Sequence, residues 1–144
     1  MRFEFATAAR IVFGAGTLDD VGRIAAGIGQ RVLVVRGVPI AQTDPLLALL
    51  DEQGLVTDTF AIEGEPSIDL VQRGVEQARA FEANVVIGFG GGSAIDTAKA
   101  IAALLTNPGQ PLDYLEVIGL GQPLTAAAAP CIAIPTTAGT GAEV

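Results

Sequence analysis

The stretch IGFGGGSAIDTAKAIA, at Ile87–Ala102, places four glycines beside a serine, an aspartate and the only lysine of the chain. Glycines lack a Cβ and so let a phosphate approach the backbone amides, and the N-terminus of a helix adds partial positive charge. The stretch follows an apolar run and leads into a helical pattern from about Ser93. It therefore predicts an anion site at a strand-to-helix junction.

Two named phosphate-binding motifs do not fit this spacing. A nucleotide-hydrolase loop has lysine directly after its last glycine, whereas Lys99 lies seven residues beyond Gly92. In the GxGxxG pattern, Gly88 and Gly90 supply the first two glycines, but Ser93 stands in place of the third. The glycines alone are equally typical of a tight turn.

The polar residues after these glycines also have a structural interpretation. Ser93 and Asp96 have the spacing of a capping pair at a helix start. Asp96 can also pair with Lys99 three residues later. On this stretch alone, the binding and the structural interpretations both stay open.

A second polar motif, IPTTAGTGAE at Ile134–Glu143, follows another apolar run. Its hydroxyls, on Thr136, Thr137 and Thr140, are suited to turns and caps as well as to a ligand. The carboxyl ends of parallel strands meet at one edge of a sheet, where α/β proteins bind ligands. The two motifs therefore predict one shared crevice.

The elements that must position these motifs alternate along the chain as short apolar runs and stretches of helical periodicity. This alternation predicts an α/β fold with a mostly parallel sheet and flanking helices. Buried strands are predicted at 31–37, 84–90 and 130–135, with an outer strand from Thr57.

Helices are predicted between these strands. The clearest covers 44–54, with Asp44 as N-cap candidate, Pro45 at the first helical position and a terminating glycine. Others are predicted from Thr17, from Ser67 and from near Ser93. At the ends of the pattern, Phe3–Gly16 is predicted to form a β-hairpin and Asn107–Pro130 a long loop.

Composition limits the classes of partner. With 144 residues, half of them apolar, the chain is long enough for one domain with a substantial core. Sixteen acidic against eight basic residues would repel nucleic acid. Arg2 and Glu4 interrupt any signal-peptide core, and no apolar run reaches the roughly 18 residues of a membrane span. We predict a soluble protein without nucleic-acid or membrane partners.

The small numbers of cysteine and histidine residues limit the reactions and the metal sites that the chain can supply. Cys131 has no partner for an intramolecular disulfide, which is typical of the reducing cytoplasm. We predict that it is a buried apolar residue of its strand and not a nucleophile. The chain has no histidine, the commonest general base and transition-metal ligand. We therefore predict no catalytic residue and no metal ligand in this chain.

Taken together, the motifs resemble those of the iron-containing alcohol dehydrogenases. GGGSAIDTAKAIA at Gly90–Ala102 and AIPTTAGTGAEV at Ala133–Val144 carry the resemblance, and IVFGAGTLDDV at Ile11–Val21 fits it too. The resemblance spans essentially the whole chain. It implies that residues 1–144 form a Rossmann-like domain, of the dehydroquinate synthase type, which binds NAD or NADP.

The resemblance also implies roles for single residues and a reaction. It places the cofactor pyrophosphate on Gly91, Gly92 and Ser93. Four further residues match positions that line the cofactor site: Asp96, Thr136, Thr137 and Thr140. The implied reaction is hydride transfer between a small alcohol and its aldehyde or ketone.

Two positions depart from the family pattern. Gly37 ends the strand VLVVRG, where such enzymes often carry an aspartate that binds the adenosine ribose. Without that carboxylate, and with Arg36 beside it, a 2′-phosphate has room, so we predict that NADP is accepted. Glu65 stands where the family often has an asparagine that contacts the cofactor, which makes it a further candidate.

The resemblance further implies a helical C-terminal domain whose aspartate and histidines hold a catalytic Fe²⁺ or Zn²⁺. Residues 1–144 contain no such set. Because the metal polarises the alcohol oxygen, we expect the isolated chain to be inactive. A homodimer is compatible with the sequence.

Two other interpretations stay open. One is a fragment of a lyase like dehydroquinate synthase, although the form PTTAGTG favours an alcohol dehydrogenase. The other is a nucleotide-binding module without catalysis, which binding without activity would support.

Overall fold

The computed structural model describes residues 1–4 and 7–144. Its centre is a parallel sheet of four strands in the order β2-β1-β3-β4. The strands are β1 (Arg31–Arg36), β2 (Val56–Ala61), β3 (Val85–Gly90) and β4 (Cys131–Pro135). The predicted parallel α/β sheet is confirmed.

Helices cover both faces of this sheet. They are α1 (Val21–Ala26), which follows a 3₁₀ turn at Thr17–Asp20, α2 (Ile40–Asp51), α3 (Ile68–Ala80), α4 (Gly92–Thr106) and α5 (Pro111–Tyr114). No helix among residues 1–4 and 7–144 is long and apolar enough to cross a membrane.

The alternation of side chains along each strand divides the core into two layers. Leu33 and Val35 of β1 pack with the apolar faces of α3 and α4. Val32 and Val34 pack with residues of α1 and α2. All six residues of β3 are buried, because this strand is central and covered on both sides. The continuous apolar run of β3 is the sequence signature of that position.

The connections that leave the carboxyl ends of β1 and β3 run toward opposite edges of the sheet. From β1 the chain passes through α2 to β2 at one edge, and then crosses back through α3 to β3 on the other side of β1. The gap between β1 and β3 is therefore the topological switch point, where open α/β sheets bind their ligands.

Helix α2 begins earlier than the sequence predicted. Its first residue is Ile40, with Pro39 as N-cap, so Asp44 is not the N-cap and Pro45 lies inside the helix. Pro39 is extended and its carbonyl accepts from Thr43 Oγ1 over 3.3 Å. Pro45 costs the helix one bond, to the carbonyl of Ala41, and Ala41 is exposed to water. The start is thus set by Pro39.

The predicted N-terminal hairpin is not seen. Residues 1–4 and 7–16 form no strand, and Phe5 and Ala6 lie outside the described residues. An isolated two-stranded ribbon is marginal in water unless its apolar face is covered. Here Phe3 is 82% and Phe13 97% exposed, so no described residue covers these two side chains.

The long loop predicted for 107–130 contains one short helix, α5, and is tied to the end of α4 by Asn107. Asn107 is 1% exposed, and its Oδ1 accepts from the amides of Thr125 and Ala126 over 2.9 Å. Its Nδ2 donates to the carbonyls of Ala103 and Ala126. These bonds hold the chain in place just before it enters β4.

Candidate functional site

The junction of β3 and α4 presents free backbone donors. β3 ends at Gly90, and Gly91 is the extended N-cap of α4, with φ −78° and ψ −171°. No side chain caps this helix. Within residues 1–4 and 7–144, the amides of Gly91, Gly92 and Ser93 have no acceptor. Such amides, with the dipole of a 15-residue helix behind them, suit an anion.

The predicted capping pair does not form. Helix α4 starts at Gly92, so Ser93 lies inside the first turn and not ahead of it. The carbonyl of Ser93 accepts from Thr97 Oγ1 over 2.7 Å, and the carbonyl of Gly91 accepts from the first turn. The Ser93 hydroxyl has no hydrogen-bond partner in the described part of the chain. It is therefore free to meet a ligand.

The pairing of Asp96 with Lys99 that their spacing allows is also not seen. Among the residues that the structure describes, the one ion pair joins Arg23 to Asp20. Asp96 and Lys99 are both exposed. A pair of exposed charges gains little over separate hydration, so nothing holds these two side chains together.

The threonine motif, Ile134–Glu143, lies against the glycine motif, Ile87–Ala102. Thr136, the first residue after β4, donates its amide to the carbonyl of Gly90 over 2.8 Å. A methyl group placed on Gly91 would lie 3.5 Å from Thr137 Oγ1. A methyl group on Gly92 would lie 3.4 Å from Thr140 Cβ. The structure thus brings both motifs side by side at the carboxyl edge of the sheet.

The threonine loop, residues 136–143, is shaped by two glycines and by two hydrogen bonds of Thr140. Gly139 and Gly141 have φ of +85° and +72°, which favour glycine. Thr140 Oγ1 donates to Glu143 Oε2 over 3.2 Å and accepts from the amide of Ala142. All three candidate threonines are exposed: Thr136, Thr137 and Thr140. Their hydroxyls are therefore accessible to a bound molecule.

Gly37 closes the crevice on the β1 side. Its amide donates to the carbonyl of Phe89 over 2.9 Å, so β1 and β3 stay paired to their ends. Arg36, just before it, donates from Nη1 to the carbonyl of Val38 over 2.9 Å. The Nε of Arg36 is buried without a partner in the described residues. The guanidinium is thus held at the turn that follows β1.

Two candidates are not drawn into the crevice by any contact of the described residues. Glu65 is exposed in the loop after β2, and Asp96 is exposed one turn into α4. Neither has a hydrogen bond or an ion pair to the other candidate residues. Both remain predictions from the resemblance.

Sequence reasoning missed how closely α4 lies on β3. A methyl group on Gly88 would lie 2.9 Å from Ala98 Cβ, and one on Gly90 would lie 2.9 Å from Ala94 Cβ. Small residues on both elements thus allow the backbone of α4 to approach the strand. The signal was present as alternate glycines in the strand facing alanines spaced four apart in the helix.

Cys131 is not buried as predicted. It is the exposed first residue of β4, which lies at one edge of the sheet that the described residues form. The atoms around its sulfur still exclude enough water to raise the pKa of the thiol to about 11, against the opposing charge of Lys99. At neutral pH the thiol is protonated, as suits a residue that is not a nucleophile.

The residues of this chain do not fit a catalytic metal. The sequence has no histidine. In the part of the chain that the structure describes, no three acidic or cysteine side chains come together as ligands. No metal chemistry is therefore assigned to these residues.

Comparisons with known proteins agree with the geometry. The model of the iron-containing alcohol dehydrogenase family matches residues 8–144. The chain is 48% identical over 135 residues to the probable alcohol dehydrogenase EutG of Escherichia coli, covering 90% of this chain and 33% of that protein. It is 38% identical over 149 residues to a sulfoacetaldehyde reductase of Bilophila wadsworthia, covering 100% of this chain and 38% of that protein.

A solved structure gives the same result. The sulfoacetaldehyde reductase from Bifidobacterium kashiwanohense, in complex with NAD+, superposes with a TM-score of 0.83 at 28% identity. The match covers 100% of this chain and 38% of that one. The chain thus spans less than two fifths of the length of these relatives. The agreement of motifs, fold and comparisons shows that this chain belongs to the iron-containing alcohol dehydrogenase family.

Proposed function

We propose that this chain is the part of an iron-containing alcohol dehydrogenase that binds the nicotinamide cofactor, NAD or NADP. The observation that carries the proposal is the carboxyl edge of β3 and β4, where free amides at the start of α4 lie beside Thr137 and Thr140. A family relative solved with NAD+ shares the fold that builds this crevice. The whole enzyme would transfer hydride between a small alcohol and its aldehyde or ketone.

The residues of the crevice have separate tasks in this proposal. The amides of Gly91, Gly92 and Ser93 bind the pyrophosphate, because they are unpaired and lie at the positive end of α4. The hydroxyls of Thr136 and Thr137 supply hydrogen bonds at the opposite wall. The bound nicotinamide supplies the hydride acceptor or donor. The residues of this chain bind and orient the cofactor.

Gly37 and Arg36 favour the binding of NADP as well as NAD. A carboxylate at position 37 would repel a 2′-phosphate, and glycine presents none. Arg36 keeps a positive charge beside that place, tied to the carbonyl of Val38. We therefore expect NADP to bind at least as well as NAD. Dissociation constants for NADH and NADPH test this, and NADH binding at least about tenfold more strongly would contradict it.

The catalytic metal lies outside these residues in this proposal. Because the described residues offer no ligand set and the chain no histidine, we place the metal ligands in the remainder of the longer enzyme. The relatives named above, a dehydrogenase and two reductases, favour redox chemistry over the lyase alternative. The 144-residue chain given Fe²⁺, cofactor and a short alcohol should show no sustained turnover.

The direct test is a titration of the chain with NADH, followed by the change in NADH fluorescence. Saturable binding that NAD+ or NADP+ displaces is expected. Circular dichroism on the same sample shows whether the chain is folded. A folded chain that does not bind either cofactor would contradict the proposal.

A further inference from the structure

The hydroxyl of Thr140 already has two hydrogen-bond partners within the described residues. Its Oγ1 donates to Oε2 of Glu143 over 3.2 Å and accepts from the amide of Ala142 over 3.3 Å. A hydroxyl carries one proton and two lone pairs. The proton and one lone pair of Thr140 are therefore in use, and the lone pair that is left can only accept a hydrogen bond.

The backbone of the threonine loop holds Glu143 where it takes this proton. Gly139 and Gly141, with φ of +85° and +72°, turn the chain so that Ala142 and Glu143 return to the side chain of Thr140. Glu143 is half-buried in this turn. An ionised carboxylate accepts hydrogen bonds and donates none, so it fixes the direction of the Thr140 proton. Its charge also makes the bond stronger than one between neutral groups.

Thr140 lies beside the amides that suit an anion. A methyl group placed on Gly92 would lie 3.4 Å from Thr140 Cβ and 3.9 Å from Ala142 Cβ. The oxygens of a pyrophosphate bound to these amides accept hydrogen bonds and donate none. The remaining lone pair of Thr140 gains nothing from such an oxygen. It requires a hydrogen-bond donor on the bound molecule.

We propose that Glu143 is a positioning residue: by taking the proton of Thr140 it makes this hydroxyl an acceptor, which binds a ribose hydroxyl of the cofactor in preference to a phosphate oxygen. This inference rests on the proposed cofactor site. In that site the adenosine half lies beside Gly37, after β1, whereas Thr140 follows β4 on the other side of β3. The ribose next to the nicotinamide extends to this side, and its hydroxyls can donate. ADP ends at its pyrophosphate and has no such ribose.

Calorimetric titrations of the 144-residue chain with NADH and with ADP test the proposal. Thr140→Val removes the hydroxyl at constant shape. It should weaken NADH binding by about fivefold and change ADP binding by less than about twofold. Glu143→Ala frees the proton of Thr140, which can then turn to a phosphate oxygen. ADP binding should strengthen by about fivefold. NADH binding should change by less than about twofold, because the new bond to phosphate replaces the bond to ribose.

A double-mutant cycle separates the effect of the proton from that of the charge. Glu143→Ala also removes a negative charge near an anion site, and this effect does not need the hydroxyl of Thr140. In the Thr140→Val background the same substitution removes only the charge. ADP binding should then strengthen by less than about twofold, since salt screens exposed charges.

Asp113→Ala is the matched control for loss of a carboxylate. Asp113 is half-buried in α5, and its Oδ2 accepts from the amide of Gln110 over 2.8 Å, three residues away as in the Thr140 pair. Its removal should lower Tm and leave the Kd of both ligands unchanged. Circular dichroism on every variant shows whether it is folded.

The possible results decide between the two proposals. Equal strengthening of ADP binding by Glu143→Ala in both backgrounds, or no strengthening in either, would overturn the role of Glu143 and leave the proposed function intact. A folded, unmodified chain that binds no NADH would overturn the proposed function and this inference with it. The expected result is a gain in ADP binding that depends on the hydroxyl of Thr140.

Discussion

The amide of Thr136 donates to the carbonyl oxygen of Gly90 over 2.8 Å, and this bond joins the two motifs of the chain. Gly90 is the last residue of β3, and Thr136 follows the last residue of β4. The ladder between these strands thus continues past their ends. As a result, the glycines after β3 and the threonine loop after β4 leave the sheet side by side. Because backbone bonds shape this crevice, side-chain changes there should alter binding more than folding.

The amide of Gly92 should carry much of the pyrophosphate binding. Gly92→Pro removes this N–H at the first helical position, where proline is tolerated, and Gly91 before it is already extended. Gly92→Ala adds a Cβ at the same place but keeps the N–H. We expect Gly92→Pro to weaken NADH binding by about tenfold or more relative to Gly92→Ala, with similar Tm. Equal Kd values would show that this amide does not bind the cofactor.

The hydroxyl of Thr137 should contribute to binding and not to stability. Thr137 is exposed, with no hydrogen bond to the described residues, and Thr137→Val removes its hydroxyl at constant shape. One lost hydrogen bond of about 1 kcal/mol corresponds to roughly fivefold weaker NADH binding. Thr106→Val is the control, because Thr106 Oγ1 donates to the carbonyl of Ala127 over 2.7 Å. It should lower Tm and leave Kd unchanged, and the reverse pattern would contradict both assignments.

Asn107 should matter for stability far from the crevice. It is buried, and it joins the end of α4 to the segment before β4. Its side chain bonds to the carbonyl of Ala103 on one side and to the amides of Thr125 and Ala126 on the other. Asn107→Ala leaves those groups unpaired, and we expect a loss of about 2–4 kcal/mol in the free energy of unfolding. Denaturant titration measures this.

Asn84→Ala is the matched control for that experiment. Asn84 is exposed, and its side chain accepts from the amides of Gln30 and Arg31. Its loss should cost about 1 kcal/mol. An equal cost for the two asparagines would show that the buried position of Asn107 adds nothing.

The thiol of Cys131 should make stability fall at high pH. Although the residue is exposed, atoms around its sulfur exclude water and raise the pKa of the thiol from 9.0 to about 11 in the folded chain. Below pH 9.0 the thiol is protonated in both the folded and the unfolded states. Between pH 9.0 and about 11 only the unfolded state ionises, so folding becomes less favourable as the pH rises through this window. Thermal unfolding of the chain and of Cys131→Ala should diverge there.

Lys99 gives a second check of the same thiol. Its positive charge lowers the pKa of Cys131, in opposition to the desolvation of the sulfur by neighbouring atoms. Lys99→Met should therefore raise that pKa further, which the ultraviolet absorbance of the thiolate against pH would show. A pKa that falls in the variant would contradict the assigned direction of this charge effect.

Several elements were predictable because their signals are local. The continuous apolar runs of β1 and β3 reflect burial on both faces. Helix α3 begins beside Ser67, where the sequence predicted its start, and Ser67 caps it by accepting from the amide of Leu70. The start of α2 was predicted too late. It depends on the backbone at Pro39, which no propensity of the following residues reveals.

The exposure of some apolar residues also could not be predicted from their sequence neighbours. The run around Cys131 is as apolar as that of a buried strand, yet β4 lies at the edge of the sheet and leaves the residue exposed. Likewise Phe3 and Phe13 have the apolar character of a hairpin but are exposed and outside any strand. The difference lies in what packs against an element, which is decided by distant parts of the chain.

The sequence by itself determined the two motifs, the parallel sheet and the edge at which both motifs emerge, because strand and helix periodicities are properties of neighbouring residues. Only the tertiary structure decided that Thr137 lies beside Gly91 and that Ala94 lies against Gly37 and Gly90. These contacts join residues far apart in the chain. They depend on strand order and on how closely α4 packs, which are set by the whole core.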